Sequence, residues 1–211
     1  MNSMIDIVGS TVIGIYFVYM IMNFNIKMND AINTSALNNV ALWDSIEFGD
    51  LLDHDFNKIG YRTDSVFVFS KAEPTAIEFY GDLDNNGIVD TVQYILMDST
   101  YLLNNDYNFN NKSNPAHGTE NPDDILLYRI VNGTINSTDN AITLVTEFQI
   151  TYNDVNCNKI TTPLSTHAER KNIKGITLNY TIASATPVKT EDDEFYEIVV
   201  WEKTFSPKNI Y

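Results

Sequence analysis

The chain has 211 residues and a net charge of −15, from 13 Lys plus Arg against 28 Asp plus Glu. Its 44% hydrophobic content excludes a disordered chain, and its length suits one domain with a real core. The acidic excess repels phosphate backbones, so no nucleic-acid partner is expected, and a single cysteine, Cys157, excludes a disulfide framework or a Cys/His zinc site.

The N-terminus departs from a globular pattern. Ile7 to Phe24 carries no charge, and Asp6 alone interrupts an apolar segment of about 24 residues. A membrane span needs roughly 20 residues, so a retained membrane or assembly helix is expected. A cleaved secretory signal is one rival reading, but it requires a basic leading region, and no Lys or Arg precedes Lys27. A buried core helix is the other. From Asn25 to Phe56 there is no proline, and Ile32, Leu37, Val40, Leu42, Trp43, Ile46, Phe48, Leu51, Leu52 and Phe56 recur with many three- and four-residue spacings. One near-continuous helix over about residues 4–53 follows, on the order of 75 Å long. Gly9 and Gly14 are places where it could break, and Gly49 with Asp53-His54-Asp55 points to fraying at its end.

Antiparallel strands follow. Ser65 to Ser70 is a short apolar run, and Ala76 to Tyr80 and Ile88 to Leu96 flank Asn86-Gly87, a strong hairpin signal. A two-residue turn there pairs Ile77 with Leu96, Phe79 with Tyr94 and Gly81 with Val92, all on one face. Further strands are read at Ile125–Val131, at Ile142–Tyr152 with even-numbered apolar residues inward, around Ile176–Ile182, and at Phe195–Lys203. Clean alternation implies sheets with one wet face. Asn104–Asp124 and Ala183–Glu194 read as polar loops, and Thr166-His-Ala-Glu169 has capping-box spacing. The fold class is therefore α+β: an assembly helix over 1–56, then an antiparallel β-rich domain over 57–211.

Two groups of residues carry chemistry. Asp6 is a lone carboxylate in an apolar run, costly there unless paired. Asp82-Leu-Asp84-Asn-Asn86-Gly87-Ile88-Val-Asp90 matches the first nine positions of a calcium loop: side-chain oxygens at 1, 3, 5 and 9, glycine at 6 and a carbonyl from Ile88 at 7. The twelfth position is Gln93 rather than a bidentate Glu, so the loop is incomplete and its affinity weak. The alternative is a plain Asn-Gly hairpin, which puts Asp82 and Asp84 on the face opposite Asp90. Only a wider loop lets these side chains converge. No HExxH, GxSxG or glycine-rich phosphate loop occurs, and Cys157, His54, His117 and His167 are scattered, so an enzyme is not expected.

Three stretches together resemble type IV pilins and type II secretion pseudopilins. They are Asn2-Ser-Met-Ile-Asp6-Ile-Val8; Phe79-Tyr-Gly-Asp-Leu-Asp-Asn-Asn-Gly87 with Val92-Gln-Tyr94; and the succession Leu127–Gly133, Val145–Tyr152, Ala168–Ile176. The family usually has Phe where Asn2 stands and Glu where Asp6 stands, after a leader glycine that does not precede Asn2 here, so the resemblance is to a divergent member that assembles unprocessed. It implies a structural subunit of an extracellular helical filament, a homopolymer built by pilus or secretion machinery. The subunit would be held in the inner membrane before assembly. Asp6 would neutralise the α-amino group of Met1 on a neighbouring copy and set the register between helices. Alternatives are a minor pseudopilin of a secretion system, periplasmic, and a membrane-anchored domain that does not polymerise.

Overall fold

The computed structural model describes residues 2–63, 67–97, 119–133, 141–189 and 194–210. The protein is α+β, with one long N-terminal helix followed by antiparallel sheets, in a pilin-like order. Helix α1 runs unbroken from Asn2 to Asn57, 56 residues and about 84 Å. Gly9 and Gly14 do not interrupt it. Parts of two loops read from sequence lie outside the described residues: the Asn104–Asp124 loop as far as residue 118, and residues 190–193 of the Ala183–Glu194 loop.

The strands are β1 Phe69–Ala72, β2 Ala76–Gly81, β3 Asp90–Met97, β4 Ile125–Val131, β5 Ala141–Val145, β6 Glu147–Asn153, β7 Lys159–Ile160, β8 Gly175–Ala183, β9 Val188–Lys189, β10 Glu194–Phe195 and β11 Ile198–Phe205. A short helix α2, His167–Arg170, carries both halves of its capping box: Glu169 N–H donates to Thr166 Oγ1 and Thr166 N–H to Glu169 Oε2. Strands β1 to β5 form an antiparallel meander, β11-β8-β6-β7 a second antiparallel sheet, and β9 pairs with β10.

The C-terminal part of α1 lies on both main sheets. Ala41, Ser45, Phe48, Gly49, Leu52, Asp55 and Phe56 are buried, at the three- and four-residue spacing of one helix face. Phe48 meets Tyr94 of the first sheet and Tyr180 of the second edge-on, and Phe56 packs on Phe79, Tyr94 and Phe205. One core thus joins the helix and the two sheets. Gly49 does not fray the helix. It leaves room for Trp201 Nε1 and Tyr180 OH, which a Cβ there would meet at 3.3 and 3.4 Å.

Three expectations from sequence change. First, the β2–β3 hairpin is displaced by two residues: Ile77 pairs with Tyr94, Phe79 with Val92 and Gly81 with Asp90. A shift of two keeps every side chain on its face, so Ile77, Phe79, Val92 and Tyr94 are still all buried. The cause is an open loop from Asp82 to Val89 in place of a two-residue turn. Second, the Ile142–Tyr152 run is two strands in different sheets. It breaks at Thr146, whose N–H and hydroxyl both go to Thr181 O, and the inward face changes there, from Val145 to Phe148, Ile150 and Tyr152. Third, β4 is buried on both faces. Leu127 joins the main core, while Leu126, Tyr128 and Ile130 form a separate cluster.

Candidate functional site

The N-terminal part of α1 has no packing partner among the described residues of its own chain. From Ser3 to Asn29 every residue is exposed except Asn23, which is half-buried. The helix is long and apolar enough to cross a membrane, and no residue of its apolar stretch is buried. A core helix of the same composition would be buried, so that reading of the segment falls away. The hydroxyls here are satisfied locally: Ser10 Oγ donates to Ile7 O, and Thr11 Oγ1 contacts Ile7 O and Val8 O at 2.9 Å. Such back-bonding lets Ser and Thr sit in an apolar environment. Asp6 is exposed and makes no ion pair among the described residues. Met1 lies outside the described residues.

The apolar surface continues past the span. Ile32, Val40, Trp43 and Ile46 are exposed. At 100° per residue they centre on the side of α1 opposite the Ala41–Phe48–Leu52 face. The sequence pattern merged these two stripes into one list, and only the packing separates them.

A buried ionic cluster fixes α1 to the sheets. Asp55 is fully buried and accepts from Arg129 Nε at 2.5 Å, Arg129 Nη2 at 3.0 Å and Tyr94 OH at 2.6 Å. Burial lowers the Arg129 pKa, but the Asp55 carboxylate outweighs it and holds the guanidinium above its ordinary value. Burial, with Asp55 adding, pushes the Tyr94 phenol well up. Two residues earlier Asp53 pairs with Lys203. The acidic residues that suggested fraying are therefore the anchor of the helix end.

The turn after α1 meets the acidic loop between β2 and β3. Gly60 N–H donates to Tyr80 O and Asp82 N–H to Tyr61 O, continuing the backbone pairing beyond β2. Gly81 sits so close that a Cβ would lie 2.3 Å from Lys58 O. Within the loop Asn85 and Gly87 take left-handed φ values of 62° and 89°. Asp82 Oδ2 accepts Gly87 N–H, Asp84 Oδ1 accepts Asn86 N–H, Asn86 Oδ1 accepts Ile88 N–H, and Asp90 Oδ2 accepts Leu83 N–H. The wider loop brings Asp82, Asp84 and Asp90 together, with one carboxylate oxygen from each within 4.8 Å of the others. Asn86 and Ile88 lie on the same loop, while Gln93 is held in β3 opposite Glu78 and Ile130. Arg62 reaches in from the post-helix turn, with Nη1 3.1 Å from Asp82 Oδ2 and 3.2 Å from Asn85 O, and Lys58 Nζ donates to Asn85 Oδ1. Burial raises the Asp82 pKa, but the Arg62 guanidinium and the Gly87 N–H more than offset it, so the carboxyl titrates below its ordinary value.

Cys157 is exposed in the β6–β7 turn, with φ 61°. His54 stands beside Asp55, His167 opens α2, and His117 lies outside the described residues. In comparisons with known proteins, no family model, no curated protein and no solved structure matches the chain.

Proposed function

We propose that this protein is a structural subunit of a pilus-like helical filament. Before assembly the N-terminal part of α1 lies in the inner membrane; afterwards it packs against the same segment of other copies in the filament core, with the acidic β-domain outside. The observation that carries this reading is the uncovered, charge-poor surface of α1 from Met4 to Met28, continued by Ile32, Val40, Trp43 and Ile46 on the side away from the domain. Full burial of one such side chain contributes about 1.5–3 kcal/mol. A handful outweighs the roughly 4–15 kcal/mol cost of association from water.

Starting from a bilayer, that gain largely cancels, because acyl chains are as apolar as Ile and Phe. Side-chain packing and the neutralisation of Asp6 then decide between bilayer and filament. Asp6 has no partner within the described chain, so a cation of a neighbouring copy, the Met1 amine, serves as its partner and sets the helix register. The contact is heterologous and does not close, so it grows a fibre. A charge of −15 keeps neighbouring fibres apart. Pilus or secretion machinery would extract the subunit from the membrane.

Sedimentation after detergent removal tests the reading. The full chain should pellet as ordered polymers, and a chain lacking residues 1–28 should stay monomeric. A full chain that remains in monodisperse micelles or reconstitutes as single copies in vesicles would instead favour a minor subunit or a tethered domain.

A further inference from the structure

We infer that a groove beside residues 40–51 of α1 receives the Lys27 side chain of a neighbouring copy, a contact between copies separate from the one at Asp6. The contact presupposes the filament. The groove lies between α1, β5 and the end of β8 and encloses about 680 Å³. Leu51, Leu144 and Ile182 give it an apolar floor, while Asp44, Glu47, Asp50 and Asp124 line it with carboxylates. No Lys or Arg is among its lining residues. The Asp44 and Glu47 carboxylates make no hydrogen bond or ion pair among the described residues. Burial raises the Asp44 carboxyl above its ordinary value, with Glu47 adding to the shift, and burial raises Asp124 as well although Thr119 opposes it.

An apolar floor with carboxylates around it suits a cation on a long aliphatic stem. A lysine is such a group: its stem covers apolar surface while the ammonium stays among polar partners. Lys27 is the only Lys or Arg before Lys58. It is exposed on the part of α1 that no described residue covers, and it forms no ion pair among the described residues, not even with Asp30 three residues on. The uncovered part of α1 is the surface that meets other copies. An unpaired cation there and an uncompensated acidic groove on the same chain are complementary.

The placement on the helix fits as well. At 100° per residue Val40, Asp44, Glu47 and Leu51 share one flank of α1, about 90° round from the face that packs on the sheets. Lys27 falls about 130° round from that flank. A non-closing contact joins two different patches on opposing sides of one subunit, and the rotation between copies of a helical array takes up the remaining angle. From Lys27 to Asp44 and Glu47 is 17 and 20 residues, so the two copies are offset by about 26–30 Å along the axis. From Met1 to Asp6 is five residues, about 8 Å, so that contact joins a nearer copy. Each subunit is then tied to two different neighbours, one through the end of its helix and one through the groove against its β-domain.

The test uses the full chain, polymerised by detergent removal. Carbodiimide joins a lysine amine to a carboxylate in direct contact with it, and mass spectrometry of the treated wild-type polymer should find Lys27 linked to Asp44 or Glu47. These residues stand about 26–30 Å apart on one helix, so the link forms only between copies, and the detergent-held monomer should lack it. Lys27→Glu sets like charges together and should lower the pelletable yield about tenfold or more, with the β-domain melting as before. Adding Asp44→Lys and Glu47→Lys to that variant should restore most of the yield. Wild-type polymer without the link, wild-type yield from Lys27→Glu, or no recovery in the triple variant would overturn the Lys27 contact while the filament stands. A wild type that forms no polymer would overturn both.

Discussion

Replacing Arg129 by Met isolates the contact that fixes the helix to the sheets. Asp55 would keep the Tyr94 hydroxyl at 2.6 Å and the His54 Nδ1 contact at 3.1 Å but lose both arms of the guanidinium, at 2.5 and 3.0 Å. The carboxylate is fully buried and Arg129 is only 8% exposed, so water cannot take over without opening the core. At an effective dielectric of about 20 the gross attraction at ~3 Å is on the order of 5 kcal/mol. Breaking one side of a buried pair costs about 3–5 kcal/mol, because an uncompensated charge remains. For a domain of this size that is a fall in melting temperature of roughly 6–20 °C. Thermal unfolding of the detergent-solubilised chain followed by circular dichroism reads it directly. The double substitution Asp55→Leu with Arg129→Leu should recover at least half of the loss, since it removes the stranded charge together with the pair. An Arg129→Met variant melting within about 2 °C of wild type, or a double variant less stable than the single one, would refute the reasoning.

Asp6→Ala should lower the yield of pelletable polymer roughly tenfold or more while the β-domain melts as before, because only the contact between copies is lost; wild-type yield from the variant would rule out a register role for Asp6. At high pH the tyrosines set stability. Burial, with Asp53 and Asp50 adding and the contact to Ser45 opposing, pushes the Tyr180 phenol up to about 12, and Tyr94 and Tyr152 move the same way. A folded pKa above the unfolded one means this contribution is complete below about pH 10 and is lost as pH rises toward 12. Denaturant midpoints should therefore fall from about pH 10 upward, less steeply in Tyr180→Phe, and midpoints flat to about pH 12 would contradict the shift.

The helix was legible because its signal is strong and local: no proline before Pro74, and an apolar run far longer than a core strand. What the run would touch was not legible, since composition cannot separate a face that meets its own domain from one left bare. The capping box at Thr166 and Glu169 was readable for the same local reason. The β2–β3 hairpin shows where local reasoning stops. Asn86-Gly87 suggested a tight turn, but Asp82, Asp84, Asn86 and Asp90 each take a backbone N–H of the loop and hold it open. The faces survived because the displacement was even. Thr146 hid a change of sheet inside one alternating run, as nothing local marks the break. The Asp55–Arg129 pair spans 74 positions, and neither residue carries a signal of the other.

The most direct measurement of the central claim is electron cryomicroscopy of the full chain after detergent removal. The account predicts helical filaments with residues 3–28 of every copy packed along the axis, Asp6 in contact with a neighbouring copy and the β-domains forming the outer layer. Dispersed single particles, or filaments held together by the β-domains with α1 free, would contradict it.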